Sequence, residues 1–248
     1  MVFIVIPAYN EDKNLSCLMH RIDDALHEAG LQYKVLAVND GSTDGTGSVL
    51  SDLSKKFPIE ILEHEANKGV GAVFKTGLSA AAGQAKSEDV IVILEADGTN
   101  EPALIPEMAG KIRRGECDVV IASRFQERGS YRKFPAIRLI LSKSINLALR
   151  LLFPIRNVRD YTIFFRAYRA DLIRAFLGRY KDSVADMKTF AFNAALLINL
   201  AHLDMKVEEI PMIYRYDLKG SRSKMNIPET LKEYISFMIR TKLGPGRA

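Results

Sequence analysis

An unbroken apolar run from Val90 to Leu94 is followed at once by two carboxylates, Glu95 and Asp97. Such a run, rich in β-branched residues, is typical of a strand that is buried on both faces of a parallel sheet. Open parallel sheets bind ligands in the crevice beyond the carboxyl ends of their strands. Carboxylates in that position suit Mg²⁺ or Mn²⁺, which bridge to phosphate oxygens. The stretch therefore indicates either a site for a metal and a diphosphate or an ordinary acidic turn.

Apolar runs alternate with amphipathic segments along the chain. The runs predict strands at residues 2–6, 35–38, 59–62, 90–94, 119–122 and 207–213. The amphipathic segments predict helices, among them residues 12–29, 136–153, 188–203 and 228–242. This alternation predicts an α/β fold with a parallel, doubly wound sheet. Four loops of unusual chemistry each follow a strand, so we expect them to meet at one edge of the sheet.

The charge of the chain is unevenly distributed. The net charge of the chain is +5, but residues 124–181 contain fourteen Lys or Arg and only three Asp or Glu. Such an imbalance indicates an anionic partner, such as a membrane surface, a lipid phosphate or a nucleic acid. Nucleic acid is the least favoured of these, because the basic segment lacks the interleaved aromatic residues of a known binding module.

The two cysteines, Cys17 and Cys117, have neither the spacing of a zinc site nor that of a disulfide framework. We expect both to be buried as small apolar residues. No apolar run is long enough to span a bilayer, and we expect no signal peptide. These features favour a cytoplasmic protein.

Four motifs resemble, in the same order, those of family 2 glycosyltransferases of the GT-A fold: Pro7 to Glu11, Asp40 to Thr46, Asn67 to Gly71 and Glu95 to Asp97. Three later elements are similar to the dolichol- or polyprenyl-phosphate mannosyltransferase branch: Ser123 to Phe125, Asp160 to Arg166 and Gly220 to Lys224. The resemblance implies a GT-A domain over residues 1–225, with a mostly parallel central sheet flanked by helices. Residues 226–248 would form an amphipathic, basic C-terminal helix and tail.

The resemblance also implies roles for individual residues. A Mg²⁺ or Mn²⁺ ion would be held by Glu95, Asp97 and Thr99. The nucleotide sugar would be bound by Pro7, Tyr9, Glu11, Asp40, Lys68, Ala96, Arg124, Arg215 and Lys224. Catalytic roles would fall to Asp97, Asp160 and Arg124. Two alternatives stay open, because Asp40 would also suit a helix cap, and Asp160 would also suit a structural salt bridge to Arg159 or Arg166.

The implied activity is metal-dependent, inverting transfer of a sugar from a GDP- or UDP-sugar to a polyprenyl or dolichyl phosphate. A sugar hydroxyl acceptor would need a carboxylate base, whereas a lipid phosphate is already ionised and needs only cationic positioning. The protein would then work peripherally on the cytoplasmic face of the membrane. The alternatives are a family 2 enzyme that acts on a cell-envelope glycan or another small acceptor, and a non-catalytic homologue that binds a nucleotide or an anionic lipid.

Two amphipathic segments have more than one interpretation. Residues 136–153 suit either a helix that packs on the core or one that lies in a membrane interface. The apolar face of residues 228–242 suits docking on the same domain, contact with a membrane, or association with a membrane partner protein or a second copy.

Overall fold

Nine strands and eight helices follow one another through residues 1–184, 187–220 and 225–243, which a computed structural model describes. The strands are β1 (Val2–Ala8), β2 (Tyr33–Asp40), β3 (Ile59–His64), β4 (Val90–Ile93), β5 (Val119–Ser123), β6 (Ser130–Arg132), β7 (Arg166–Arg169), β8 (Val207–Pro211) and β9 (Ile213–Arg215). The helices are α1 (Asp12–Glu28), α2 (Thr46–Ser54), α3 (Val70–Gln84), α4 (Ile105–Arg113), α5 (Ala136–Leu152), α6 (Ala170–Val184), α7 (Phe192–Ala201) and α8 (Ile227–Leu243). The predicted α/β alternation is confirmed.

Seven strands form the central sheet, in the order β3-β2-β1-β4-β7-β5-β8. All neighbours pair in parallel except β7, which is antiparallel to both β4 and β5. Every residue from Val90 to Leu94 is fully buried, as a strand covered by helices on both faces requires. The parallel pairing brings the carboxyl ends of β1, β2, β4 and β5 to one edge. The mostly parallel sheet flanked by helices is therefore confirmed.

The sequence does not predict β7 or α6, and it misplaces two other boundaries. β7 has arginines at both ends, Arg166 and Arg169, so no apolar run marks it. Arg166 is nevertheless fully buried, because its guanidinium donates to the backbone carbonyls of Asn193 and Tyr161 at 2.9 and 2.8 Å. The strand predicted at 207–213 divides into β8, in the main sheet, and β9, which pairs with β6. The helix predicted over 188–203 forms only over Phe192–Ala201.

The two cysteines differ in exposure. Cys117 is buried as expected, and burial raises the pKa of its thiol to about 12. Cys17 is exposed, so the prediction is wrong for this residue. Its position on α1 explains the difference, since the buried face of this helix is formed by Leu15, Leu18 and Ile22.

Helices α5 and α8 contact each other and expose more apolar surface than the other helices. On α5, Ile137 and Leu151 are 63% and 72% exposed. On α8, Tyr234 and Phe237 are buried against the domain, while the opposite side exposes Ile235 and other residues. No helix in the described part of the chain is long and apolar enough to cross a membrane. The division of the chain at residue 225 stays a prediction.

Candidate active site

A cavity of about 610 Å³ opens at the edge of the sheet where the parallel strands end. Eight residues of the predicted site line it, each at or just after the end of a strand: Pro7, Tyr9, Glu11, Asp40, Glu95, Ala96, Asp97 and Arg124. The strand ends bring them together, because parallel neighbours leave the sheet on the same side. This is the crevice in which open α/β sheets bind ligands.

The carboxylates of Glu95 and Asp97 form the acidic centre of this cavity. The Thr99 hydroxyl and backbone N–H both donate to Oδ1 of Asp97, at 2.6 and 3.1 Å, and fix its orientation. The Lys219 ammonium donates to Oδ2 of Asp97. Burial and then the nearby charge of Asp97 raise the pKa of Glu95 to about 7. Ionisation of both carboxyl groups in this desolvated site is thus unfavourable, and a cation beside them would stabilise the doubly charged form.

These carboxylates fit a divalent metal ion. Both supply hard oxygen donors, and the contact with the Lys219 ammonium shows that the position stabilises positive charge. No group of three or more His, Cys, Asp or Glu side chains suited to a metal occurs in the described ranges. A metal held by Glu95 and Asp97 would therefore need oxygens from the diphosphate and from water, as Mg²⁺ commonly does. Thr99 acts here by orienting Asp97.

Asp40 connects the end of β2 to the loop that leads into α3. Its carboxylate accepts the backbone N–H groups of Lys68 and Gly69 at 2.9 and 3.0 Å. Nδ1 of His64 donates to the same carboxylate at 2.7 Å, and Nε2 forms a hydrogen bond with the Thr76 hydroxyl at 2.9 Å. Asp40 therefore shapes the cavity wall through the N-terminus of α3, a position that favours a negative charge.

His64 is a site residue that the sequence analysis misses, because the four histidines share no spacing along the chain. The pairing of strands is what identifies His64 as a neighbour of Asp40. In the parallel register of β2 and β3, Asp40 lies opposite His64. Two polar residues at the ends of adjacent strands are neighbours even though they are far apart in sequence.

Arg124 and Asp160 form a buried ion pair at the cavity wall, with Arg124 in the lining and Asp160 behind it. Nε and Nη2 of Arg124 donate to the two carboxylate oxygens of Asp160 at 2.8 and 2.7 Å, which is a bidentate contact. Nη2 also donates to the Thr162 hydroxyl at 2.7 Å. Burial alone would raise the pKa of Asp160, but the charge and hydrogen bonds of Arg124 hold it below the usual range. Asp160 does not belong to the described cavity lining, so this geometry corresponds to the salt-bridge interpretation, although the partner is Arg124 rather than Arg159 or Arg166.

Other predicted site residues lie beside the cavity. In the described chain, the cavity lining includes neither Lys68 nor Arg215. Lys68 contributes its backbone N–H to Asp40, and Arg215 pairs with Asp217 at 2.9 Å. The backbone N–H of Arg215 also donates to the carbonyl of Thr99 at 2.9 Å, which joins β9 to the loop after β4. Lys224 lies outside the described residues.

The far side of the cavity is built by elements that the sequence analysis assigned no role in the site. Helix α5 contributes Arg138 and Ser142, and the segment before α7 contributes Lys188. The remaining wall is mostly apolar and aromatic, and includes Phe74, Leu141, Ile145, Phe164, Phe190, Tyr214, Leu231 and Tyr234. It also contains polar side chains, among them Glu229 and Thr230 of α8. The cavity therefore has an acidic end at the sheet and a mostly apolar end, with Arg138, Lys188 and Glu229 as charged groups, between α5 and α8.

The fold is that of the GT-A glycosyltransferases. Glucosyl-3-phosphoglycerate synthase from Mycobacterium tuberculosis, solved with Mn²⁺, UDP and glucosyl-3-phosphoglycerate, superposes with a TM-score of 0.69. The match is 16% identical and covers 100% of this chain and 81% of the other. At this level of identity the likeness concerns the fold.

The sequence of residues 3–177 matches the family model described as glycosyl transferase family 2. A polyprenol monophosphomannose synthase from Mycolicibacterium smegmatis is 30% identical, over 98% of this chain and 89% of that protein. A dolichol-phosphate mannosyltransferase from Pyrococcus furiosus is 30% identical over 96% of this chain, which spans 63% of that longer relative. The chain belongs to family 2 of the glycosyltransferases, as the motifs predicted.

Replacement of Asp160 by Asn tests the buried pair. Asp160→Asn leaves the buried Arg124 charge without its carboxylate, so we expect the free energy of unfolding to fall by about 3–5 kcal/mol. The matched control is Asp52→Asn, which breaks the exposed pair with Lys55 and should leave stability unchanged. Urea denaturation measures both variants.

The loss of stability that Asp160→Asn causes should depend on pH. The pKa of Asp160 is lower in the folded protein than in the unfolded chain, where it is about 4. The ion pair therefore contributes its full stability above the unfolded pKa, and this contribution is lost as the pH falls through the folded-state pKa. The difference between wild type and Asp160→Asn should therefore shrink in acid. A difference that stays constant from neutral to acid pH would contradict this account.

Replacement of Lys219 by Met tests whether its ammonium competes with a metal for Asp97. A bound metal must displace this charge-assisted hydrogen bond, so Lys219→Met should bind Mn²⁺ about tenfold more tightly without nucleotide. Lys188→Met, at another lysine of the cavity wall, is the control and should not tighten binding. The signal of free Mn²⁺ in electron paramagnetic resonance measures the affinity. Unchanged or weaker binding in Lys219→Met would show that the two cations do not compete.

Proposed function

We propose that this glycosyltransferase moves a sugar from a GDP- or UDP-sugar to a polyprenyl or dolichyl phosphate at a membrane surface. The donor would bind at the acidic end of the cavity, with Pro7, Tyr9 and Glu11 beside the base and ribose. The acceptor phosphate would enter from the side of α5 and α8. Mg²⁺ or Mn²⁺ would be held by Glu95 and Asp97.

The observation that carries this proposal is the two-ended character of the cavity. Glu95 and Asp97 line the end at the sheet, with Arg124 beside them at the end of β5. Arg138 of α5 belongs to the opposite wall, which is mostly apolar and includes Leu141, Ile145 and Leu231 besides Glu229 of α8. A polyprenyl phosphate suits such a cavity, because its phosphate would contact the cationic group and its hydrocarbon chain would contact the apolar wall.

The chemistry requires little of the protein beyond charge and position. The bond between the sugar C1 and the donor diphosphate breaks, and a bond from C1 to an acceptor phosphate oxygen forms, with inversion in a single displacement. The metal would supply positive charge to the departing diphosphate. The guanidinium of Arg124, held by Asp160, would orient an anionic oxygen. Because the acceptor is already ionised, no base is needed, which agrees with the engagement of Asp160 by Arg124.

The named relatives support this acceptor class. Besides the two mannosyltransferases above, an undecaprenyl-phosphate mannosyltransferase from Micrococcus luteus is 30% identical over 86% of this chain and 83% of that protein. The names of all three proteins refer to a polyprenol-type lipid. Neighbours in fold that were solved with Mn²⁺ or Mg²⁺ and UDP support the metal and a nucleotide donor.

We further propose that the protein attaches peripherally to the cytoplasmic face of a membrane, where it would meet a lipid acceptor. Helices α5 and α8 border the apolar end of the cavity and also expose Ile137, Ile140, Ile235 and Ile239. Amphipathic helices with exposed apolar and basic residues lie in the headgroup region of a bilayer. In this position the cavity would receive a lipid phosphate without removing its tail from the membrane.

Release of nucleoside diphosphate tests the function. Purified protein is incubated with GDP- and UDP-sugars and Mn²⁺ or Mg²⁺, with and without a short polyprenyl phosphate. We expect one donor to be cleaved only when metal and lipid phosphate are both present. Asp97→Asn should lower the rate by about 100-fold or more, since it removes a charge from the group that stabilises the leaving diphosphate.

Asp52→Asn is the matched control, because it makes the same chemical change on an exposed helix and should retain full activity. Circular dichroism verifies that Asp97→Asn is folded. Nucleotide binding that depends on metal, without release stimulated by polyprenyl phosphate, would contradict this acceptor. It would point to another acceptor or to a protein that binds without turnover.

A further inference from the structure

A second cavity, of about 470 Å³, lies beside the exposed side of α5. It is lined by Phe125, Lys143, Asn146, Leu147, Arg150 and Arg159. In the described part of the chain it shares no lining residue with the catalytic cavity. Lys143, Leu147 and Arg150 follow the i, i+4, i+7 spacing of one helix face, and Arg159 joins them from the loop after α5. The cavity is therefore formed by one helix face and two loops.

Within the described ranges, no carboxylate forms an ion pair with the side chains of the three cations of this cavity; from Arg159, the nearby Glu209 accepts only the backbone N–H, at 2.7 Å. Among the described residues, Lys143, Arg150 and Arg159 take part in no ion pair, and the lining itself contains no acidic side chain. The sequence gives the reason, since residues 128–159 contain eight Lys or Arg and no Asp or Glu. The adjacent carboxylate of Asp160 is already engaged by Arg124. Three uncompensated charges around one opening favour an anion.

Apolar surface next to these charges indicates which anion. Leu147 and Phe125 lie in the cavity wall, and Leu147 is 49% exposed. Ile140 and Leu151, one or two turns away on the same helix face, are 59% and 72% exposed. A soluble anion would gain nothing from this apolar surface. A lipid would bury it in the interface while its headgroup met the cations.

We propose that this cavity binds the phosphate headgroup of an anionic membrane lipid, separately from the acceptor phosphate in the catalytic cavity. The site requires neither donor nor turnover, and so goes beyond the proposed glycosyl transfer. Its floor is adjacent to the catalytic site. Nδ2 of Asn146 donates to the Thr162 hydroxyl at 2.9 Å, and Arg124 donates to the same oxygen at 2.7 Å. A headgroup bound here would hold the mouth of the catalytic cavity against the bilayer.

Sedimentation with lipid vesicles tests the proposal. The wild type is mixed with vesicles of phosphatidylcholine alone or with added phosphatidylglycerol, and separately with soluble glycerol phosphate. The variant carries Lys143→Gln, Arg150→Gln and Arg159→Gln together. Each cation near an anionic surface contributes about fivefold in affinity, so the variant should bind phosphatidylglycerol vesicles on the order of 100-fold more weakly.

The matched control removes the same charge from the other end of the molecule. Helices that connect parallel strands run opposite to them, so the end of α4 and the segments just before β3 and β8 lie at the edge where strands begin. The control variant therefore carries Lys56→Gln, Arg113→Gln and Lys206→Gln, all exposed residues. It should bind vesicles as the wild type does.

Three results would overturn the proposal. The cavity variant could bind anionic vesicles as tightly as the wild type. Both variants could weaken equally, which would indicate attraction by net charge alone. Glycerol phosphate could bind as tightly as the vesicles do, which would indicate a site for a soluble anion. Thermal unfolding and metal-dependent nucleotide binding are measured on each variant, so that an intact catalytic cavity separates failure of this site from failure of the proposed function.

Discussion

The buried contact between Arg124 and Asp160 connects the parts of the molecule on which the catalytic cavity depends. Arg124 follows the end of β5, and Asp160 belongs to the loop that leads into β7. Asp160 also organises its own loop, because its carboxylate accepts the backbone N–H groups of Thr162 and Ile163 at 3.2 Å each. A buried charge pair of this kind is weak evidence for added stability, but loss of one partner is costly. Its effect here is to fix the guanidinium at the cavity wall.

The antiparallel strand β7 extends this arrangement into the core. It inserts between β4 and β5, so both strands that carry the charged site residues Asp97 and Arg124 rest against it. Arg166, at its start, is fully buried and donates to backbone carbonyls of the Asp160 loop and of α7. Through Nη1 and Nη2, this buried arginine ties a loop, a strand and a helix together. The strand β7 therefore supports both Asp97, after β4, and Arg124, after β5.

The strands β1, β2, β4 and β5 and the residues at their ends could be predicted from sequence, because each contains a continuous apolar run that ends in polar residues. β3 could be predicted too, although Glu60 interrupts its apolar residues. The resemblance to family 2 glycosyltransferases extended this to the fold and to the eight site residues that line the cavity at the sheet edge. β7 could not be found in this way, since a strand with an arginine at each end has no apolar signature. The role of His64 depends on the pairing of β2 with β3, which no local pattern reveals. Similarly, Arg138 and Ser142 enter the cavity only because α5 folds back over the sheet edge.

The apolar pattern of α5 shows a further limit of sequence reasoning. Its spacing suits a helix that packs on a core, yet Ile137 and Ile140 are largely exposed while Leu149 is buried. Periodicity identifies an apolar face but does not say what covers it. The structure resolves part of the question, because α5 and α8 border the open, apolar end of the cavity. Exposed apolar surface at the entrance of a substrate cavity marks a binding surface rather than a packing defect.

The chemical structure of the product distinguishes transfer to a lipid phosphate from transfer to any other acceptor. After incubation with the donor that supports turnover and a polyprenyl phosphate, the lipid fraction is isolated, weighed by mass spectrometry and examined by nuclear magnetic resonance at the anomeric carbon. This account predicts one sugar joined through phosphate to the polyprenyl chain, with the anomeric configuration inverted from that of the donor. Retained configuration, or a sugar joined to a hydroxyl group instead of the phosphate, would contradict it.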